Sequence, residues 1–265
     1  MSVTPESPAV SAAPEFPAKE LRITRAGPVL HAELDSPGTG NALTDATLDD
    51  LLALLEGVRT RPEIRVLVLS GAGGDFCVGA DRGELQSSLV ADPGGAELRG
   101  LAEKARRVCE ALESTHAVTI ARLQGKVIGA GLGLALFCDL RAAADDCLFR
   151  LPELALGLPP AWAGMLPRLL AEAGAARIRE LIMTCATFDA ATAAGLSIVH
   201  KVVPAGELDN AVDAWVSPLV RRPPEALLLA KVMFNAYARA GRLMDGSLLD
   251  PHLFSAALAA RQHGG

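Results

Sequence analysis

Ser70-Gly-Ala-Gly-Gly-Asp-Phe-Cys-Val-Gly-Ala-Asp81 and Leu123-Gln-Gly-Lys-Val-Ile-Gly-Ala-Gly-Leu-Gly133 decide how this chain is read. Each closes a short apolar run, Arg65–Ser70 in the first case and Val118–Leu123 in the second, and each leads into a helical stretch. Continuous apolar runs of that length suit strands covered on both faces. Glycines at such turns let the backbone approach a ligand closely. The N–H groups at the helix start that follows have no intrahelical acceptor, so they point at whatever sits there, and the helix dipole favours negative charge. Two such ends aimed at one oxygen atom form an oxyanion hole. Gly129-x-Gly131-x-Gly133 is also similar to a dinucleotide fingerprint, but its third glycine comes one position early. A phosphate-binding GxxxxGK loop and a GxSxG elbow are both absent from the sequence.

Outward from these turns the pattern stays regular. Leu21–Thr24 and Val29–Leu34 read as strands, and Asp45–Arg59 as a helix with Thr44 or Asp45 available as its cap. Glu97–Glu113 and Gly131–Cys138 read as helices and Leu140–Ala143 as a strand; two more helical stretches cover roughly Ala163–Thr184 and Ala190–Ala194, and the chain from Leu208 onward is almost wholly helical. Strands alternating with helices give an α/β class. Periodicity alone leaves a doubly wound sheet and a spiral of stacked turns both open. Residues 1–18, rich in Pro, Ser, Ala and Glu, read as a disordered tail.

Composition narrows the function. The 265 residues are 50% hydrophobic with a net charge of −6, and the mean hydropathy of +0.29 is high for a soluble protein. No apolar run reaches the roughly 18 residues of a membrane span. Without a basic run interleaved with aromatics, nucleic acid is not expected as a partner. The five cysteines (Cys77, Cys109, Cys138, Cys147, Cys185) are scattered and without CxxC spacing, which argues for a reducing compartment and against a disulfide frame or a zinc site. With no basic and apolar leader, the expected location is cytoplasmic, and no metal is expected.

Four fragments, Asn41-Ala-Leu43, Gly73-Gly-Asp-Phe-Cys-Val-Gly-Ala-Asp81, Gly125-Lys-Val-Ile-Gly-Ala-Gly131 and Phe149-Arg-Leu-Pro-Glu-Leu-Ala-Leu-Gly157, resemble the signatures of the crotonase (enoyl-CoA hydratase/isomerase) superfamily in order and spacing. The resemblance runs from about residue 19 to the C-terminal helices. It implies a spiral of stacked β-β-α turns over residues 19–205, carrying a thioester site, and a helical region over 206–265 for trimerisation and pocket closure. It implies an acyl-CoA or acyl-carrier-protein thioester as substrate, no cofactor, and a homotrimer or dimer of trimers.

Residue by residue, the resemblance makes the N–H groups of Ala80 and Ala130 the oxyanion donors. Relatives usually carry glycine at the second of these positions. Losing one such donor typically costs roughly 2.7–4 kcal/mol. It makes Glu153, 23 residues after Ala130, the catalytic carboxylate. Ala42, Val78, Gly79, Asp81, Arg82, Gly129 and Trp162 become substrate-binding positions, with Asp81 read chiefly as a helix cap and Cys77 as buried filler. Hydratases of the family carry a second glutamate three residues after the second donor, and that position is Gly133 here. Syn-hydration divides its proton transfers between two groups, whereas one carboxylate suffices to move a proton from the α- to the γ-carbon. Isomerisation is therefore preferred over hydration. The alternatives are enolate chemistry that makes or breaks C–C bonds, and a non-catalytic thioester- or partner-binding subunit. A glutamate restored at position 133 is expected to reach a water beside the β-carbon and raise hydration.

Overall fold

A computed structural model describes residues 16–93, 95–240 and 246–263. In chain order it contains β1 (Leu21–Ala26), β2 (Val29–Leu34), α1 (Asp45–Arg59), β3 (Val66–Gly71), α2 (Arg82–Ala91), α3 (Ala96–Ser114), β4 (Val118–Leu123), β5 (Lys126–Ile128), α4 (Ala130–Leu136), β6 (Leu140–Ala144), β7 (Leu148–Arg150), α5 (Met165–Ala173), α6 (Ala175–Thr184), β8 (Thr187–Asp189), α7 (Ala190–Gly195), β9 (Lys201–Val203), α8 (Leu208–Leu219), α9 (Pro224–Ala240) and α10 (Asp250–His263). The larger sheet runs β1-β2-β3-β4-β6-β9, antiparallel only at the β1–β2 hairpin.

A second ladder separates the two architectures that periodicity left open. After β3, β4 and β6 the chain turns a corner and pairs again before entering a helix or turn. Leu43 lies beside Ala80, Cys77 beside Val127, and β5 beside β7, all parallel. Each turn therefore stacks on its neighbour in two sheets, in the same order in both. That is a spiral. A doubly wound sheet passes from each strand straight into a covering helix and builds no second ladder.

Local chemistry places the elements. Thr44 caps α1 in a capping box with Thr47, which settles the choice between Thr44 and Asp45. Leu48, Leu51, Leu54, Leu55 and Val58 recur at helical spacing and bury one face of α1. Val66–Leu69 in β3 are buried on both faces, as a parallel strand between layers must be. Gly174 breaks the expected stretch over 163–184 into α5 and α6. Of the expected N-terminal tail, residues 1–15 lie outside the described residues. Phe16 is buried against α1 with the Arg61 guanidinium 4.8 Å from its ring centre. Among the described residues no helix is long and apolar enough to cross a membrane.

Candidate active site

The first turn is built by the β-bridge at Leu43. Its N–H donates to Gly79 O (2.8 Å) and its carbonyl accepts from Asp81 N (2.9 Å). A parallel bridge of this kind engages the residues on either side of Ala80, so the N–H of Ala80 itself faces away from the ladder. Gly79 has φ +99°, and a Cβ built there would stand 3.0 Å from Ile128 O and 3.5 Å from Ala130 N. Glycine thus serves twice, for the dihedral and for the close approach of the two turns. The second turn is anchored by Gly129 N donating to Arg150 O (2.9 Å). Gly129 adopts φ 51°, ψ −118°, and α4 begins with Ala130. Neither Ala80 N nor Ala130 N has an acceptor among the described residues.

Glu153 follows β7 through Pro152 and opens a short 3-10 turn whose Leu158 N returns to the Glu153 carbonyl (2.9 Å). The side chain is only 8% exposed. Oε1 stands 3.1 Å from where a Cβ on Gly129 would be, which sets the carboxyl directly against the second turn. Oε2 has no hydrogen-bond partner. Burial without a compensating cation pushes the carboxyl up to about 7 from its ordinary 4.5.

A cavity of about 840 Å³ gathers every residue that the sequence singled out as a site: Ala42, Val78, Gly79, Ala80, Asp81, Arg82, Gly129, Ala130, Glu153 and Trp162 all line it. Asp81 is the N-cap of α2, accepting from Glu84 N at 2.8 Å, in agreement with its expected role as a helix cap. Cys77 is fully buried and its thiol is pushed up to about 12 by desolvation, which makes it filler. The cavity also takes Phe254 and Leu258 from α10 and Lys126 and Arg150 from its β5–β7 side, none of which the sequence reading named. The α10 residues come from just over a hundred positions beyond Glu153, and nothing local marks them.

Position 133 requires a correction. A Cβ on Gly133 would lie 2.8 Å from Trp162 Cδ1 and 3.3 Å from both Trp162 Nε1 and Met165 Sδ. The indole already fills the space in which a restored glutamate was expected to meet a water. Trp162 is itself buried, stacked edge-on against Phe254 with ring centres 6.4 Å apart. Two residues on, Gly164 N donates to Asp250 Oδ2 (2.8 Å), which ties this loop to the start of α10.

Comparison with known proteins agrees with this geometry. Residues 24–264 match the family model described as enoyl-CoA hydratase/isomerase. The chain belongs to the enoyl-CoA hydratase/isomerase family. Enoyl-CoA hydratase domain-containing protein 2, mitochondrial, of Bos taurus is 33% identical over 243 residues, covering 87% of this chain and 79% of that one. A peroxisomal Δ(3,5)-Δ(2,4)-dienoyl-CoA isomerase of Arabidopsis thaliana is 30% identical over 213 residues, covering 77% and 76%. Among solved structures, a Thermobifida fusca YX protein in complex with acetoacetyl-CoA superposes with a TM-score of 0.77 at 31% identity, covering 96% of this chain and 99% of that one. Hydratase and isomerase names therefore both occur among the relatives of this enoyl-CoA hydratase/isomerase chain, and the choice between the chemistries falls to its own residues.

Proposed function

We propose that this protein binds an acyl thioester, of coenzyme A or of a carrier protein, and moves a proton between carbons of the acyl group, with 3-enoyl to 2-enoyl isomerisation its principal reaction. The observation that carries the reading is Glu153: a buried carboxyl with one free oxygen, set against the turn that ends in Ala130 N. With the thioester oxygen accepting from Ala80 N and Ala130 N, removal of the α-proton by Glu153 leaves an enolate whose charge falls on those donors. The same carboxyl then returns the proton to the γ-carbon, and the double bond has migrated. A carboxyl near pKa 7 suits both halves, since it is neither too weak a base nor too weak an acid at neutral pH. No cofactor enters this scheme. Arg82, Lys126 and Arg150 on the cavity wall are cations available to the phosphates of a coenzyme A or carrier prosthetic group.

The test is a binding and turnover screen with 3-enoyl-, 2-enoyl- and malonyl-type CoA thioesters, run on the native chain and on Glu153→Gln. Isomerisation of the 3-enoyl thioester is expected, falling by at least about 10²-fold in the variant while binding persists. Turnover of the malonyl type alone would favour enolate chemistry at a C–C bond. Binding without turnover of any of the three would favour a non-catalytic subunit.

A further inference from the structure

Hydration and isomerisation share their first contacts and part at the β-carbon. To hydrate a 2-enoyl thioester, a water must sit against that carbon, lose a proton to a base as its oxygen bonds there, and leave the α-carbon to take a proton from an acid. Position 133 lies one turn beyond Ala130 on the same face of α4, ~4.5 Å further along the axis. An acyl chain whose carbonyl is held at Ala130 N therefore runs past this part of the wall. What lies against that position is the Cδ1–Nε1 edge of the Trp162 indole, with Met165 Sδ beside it and Phe254 edge-on to the ring. Leu85, Leu158 and Leu258 continue the apolar lining. An ordered water needs two to four polar partners, and the groups nearest position 133, the indole edge and Met165 Sδ, offer it only one N–H and a thioether.

We propose that Trp162 is the specificity-determining residue of the site: its indole excludes water from the β-carbon and confines the reaction to proton transfer between carbons. The inference rests on the thioester reading above. It moves the cause of that preference from the missing carboxylate at position 133 to the side chain that occupies its place. In the confined reaction the α C–H bond breaks, Glu153 carries the proton, and the same proton forms the γ C–H bond, with no atom drawn from solvent.

Native protein tests this without substitution. During isomerisation of trans-3-hexenoyl-CoA in D2O, the product is expected to hold mostly protium at the γ-carbon, and full deuteration there would overturn the proposal. A second arm measures hydration of trans-2-hexenoyl-CoA. Gly133→Glu alone is expected to gain nothing, because the indole blocks it. Gly133→Glu combined with Trp162→Ala, or with Trp162→Leu should the alanine variant not fold, is expected to gain about 10²-fold or more. A gain as large in Gly133→Glu alone, or none in a folded double variant that still binds the thioester, would equally overturn it. If native protein binds trans-3-hexenoyl-CoA and isomerises none of it, the underlying reading falls, an outcome distinct from isomerisation with full exchange.

Discussion

At the scale of single residues, the proposed role of Glu153 couples stability to activity through one proton. Its carboxyl is held near 7 in the fold against 4.5 in an unperturbed chain, so the folded state binds that proton more tightly than the unfolded state does. The sign follows: the stabilising contribution is complete below pH 4.5, declines as pH rises, and is gone above 7, where a buried anion must be carried. That anion costs on the order of 3 kcal/mol. Glu153→Gln is therefore expected to raise the urea midpoint at pH 8 and leave it nearly unchanged at pH 5. In the native enzyme kcat/KM is expected to climb through pH 7 as the base form appears. A flat pH profile together with an unshifted midpoint would place the carboxyl in contact with solvent. The Pro152-Glu153 pair was legible in sequence because its surroundings match a known order of motifs. Its free oxygen was not, because that depends on what fails to arrive from elsewhere in the fold. Gly133 shows the same limit: the absence of a side chain could be read, but the indole from position 162 that takes up the space could not.

At the scale of elements, α4 matters most, since its first N–H is one of the two donors proposed for the thioester oxygen. Its seven residues, two of them glycine, are far too few to be helical alone. Buried Arg141 supplies what propensity does not. Its Nη1 donates to Leu136 O and Cys138 O (both 3.1 Å) where α4 ends, and its Nε to Ile198 O (2.6 Å). Its Nη2 pairs with Glu172 Oε2 on α5 at 2.7 Å. One cation thus satisfies the trailing carbonyls of α4, opposes its dipole, and fixes it to α5. Arg141→Met keeps much of the apolar stem and removes every donor. A loss of about 3 kcal/mol or more in urea unfolding is expected, each buried acceptor left unmade costing about 1–3 kcal/mol. A fall in kcat larger than any rise in KM is expected as the Ala130 donor loses its position. Stability within about 0.5 kcal/mol of native would show that α4 holds itself. In the sequence Arg141 was one arginine among many. The three-residue strands β5, β7, β8 and β9 passed unread as strands for a related reason: a window that short carries no periodicity, and long-range pairing makes them strands.

At the scale of the whole molecule, the excess of apolar composition finds its place on α9. Lys231 pins this helix from one side, its ammonium donating to Leu112 O (3.2 Å), Ala117 O (3.0 Å) and Asp139 Oδ2 (2.7 Å). The other side carries Leu229, Val232, Met233, Phe234 and Tyr237, each at least half exposed and Phe234 and Tyr237 about three-quarters so. Side chains at such spacing form one continuous stripe, and a stripe of large apolar groups beyond a few hundred Å² is rare on a protein that works as a monomer. A second copy of the chain is the occupant that family resemblance and composition jointly favour, in a trimer or a dimer of trimers. Light scattering at micromolar concentration is expected to return three or six times 27.5 kDa. Replacing Phe234 and Tyr237 together with aspartate puts two charges into whatever contact the stripe makes. Because both side chains are exposed in the protomer, the fold should survive while the assembly dissociates. Native protein running as a 27.5 kDa monomer would refute the assembly outright. An aspartate pair that leaves a trimer intact would move the interface to another face and leave the stripe on α9 without a role.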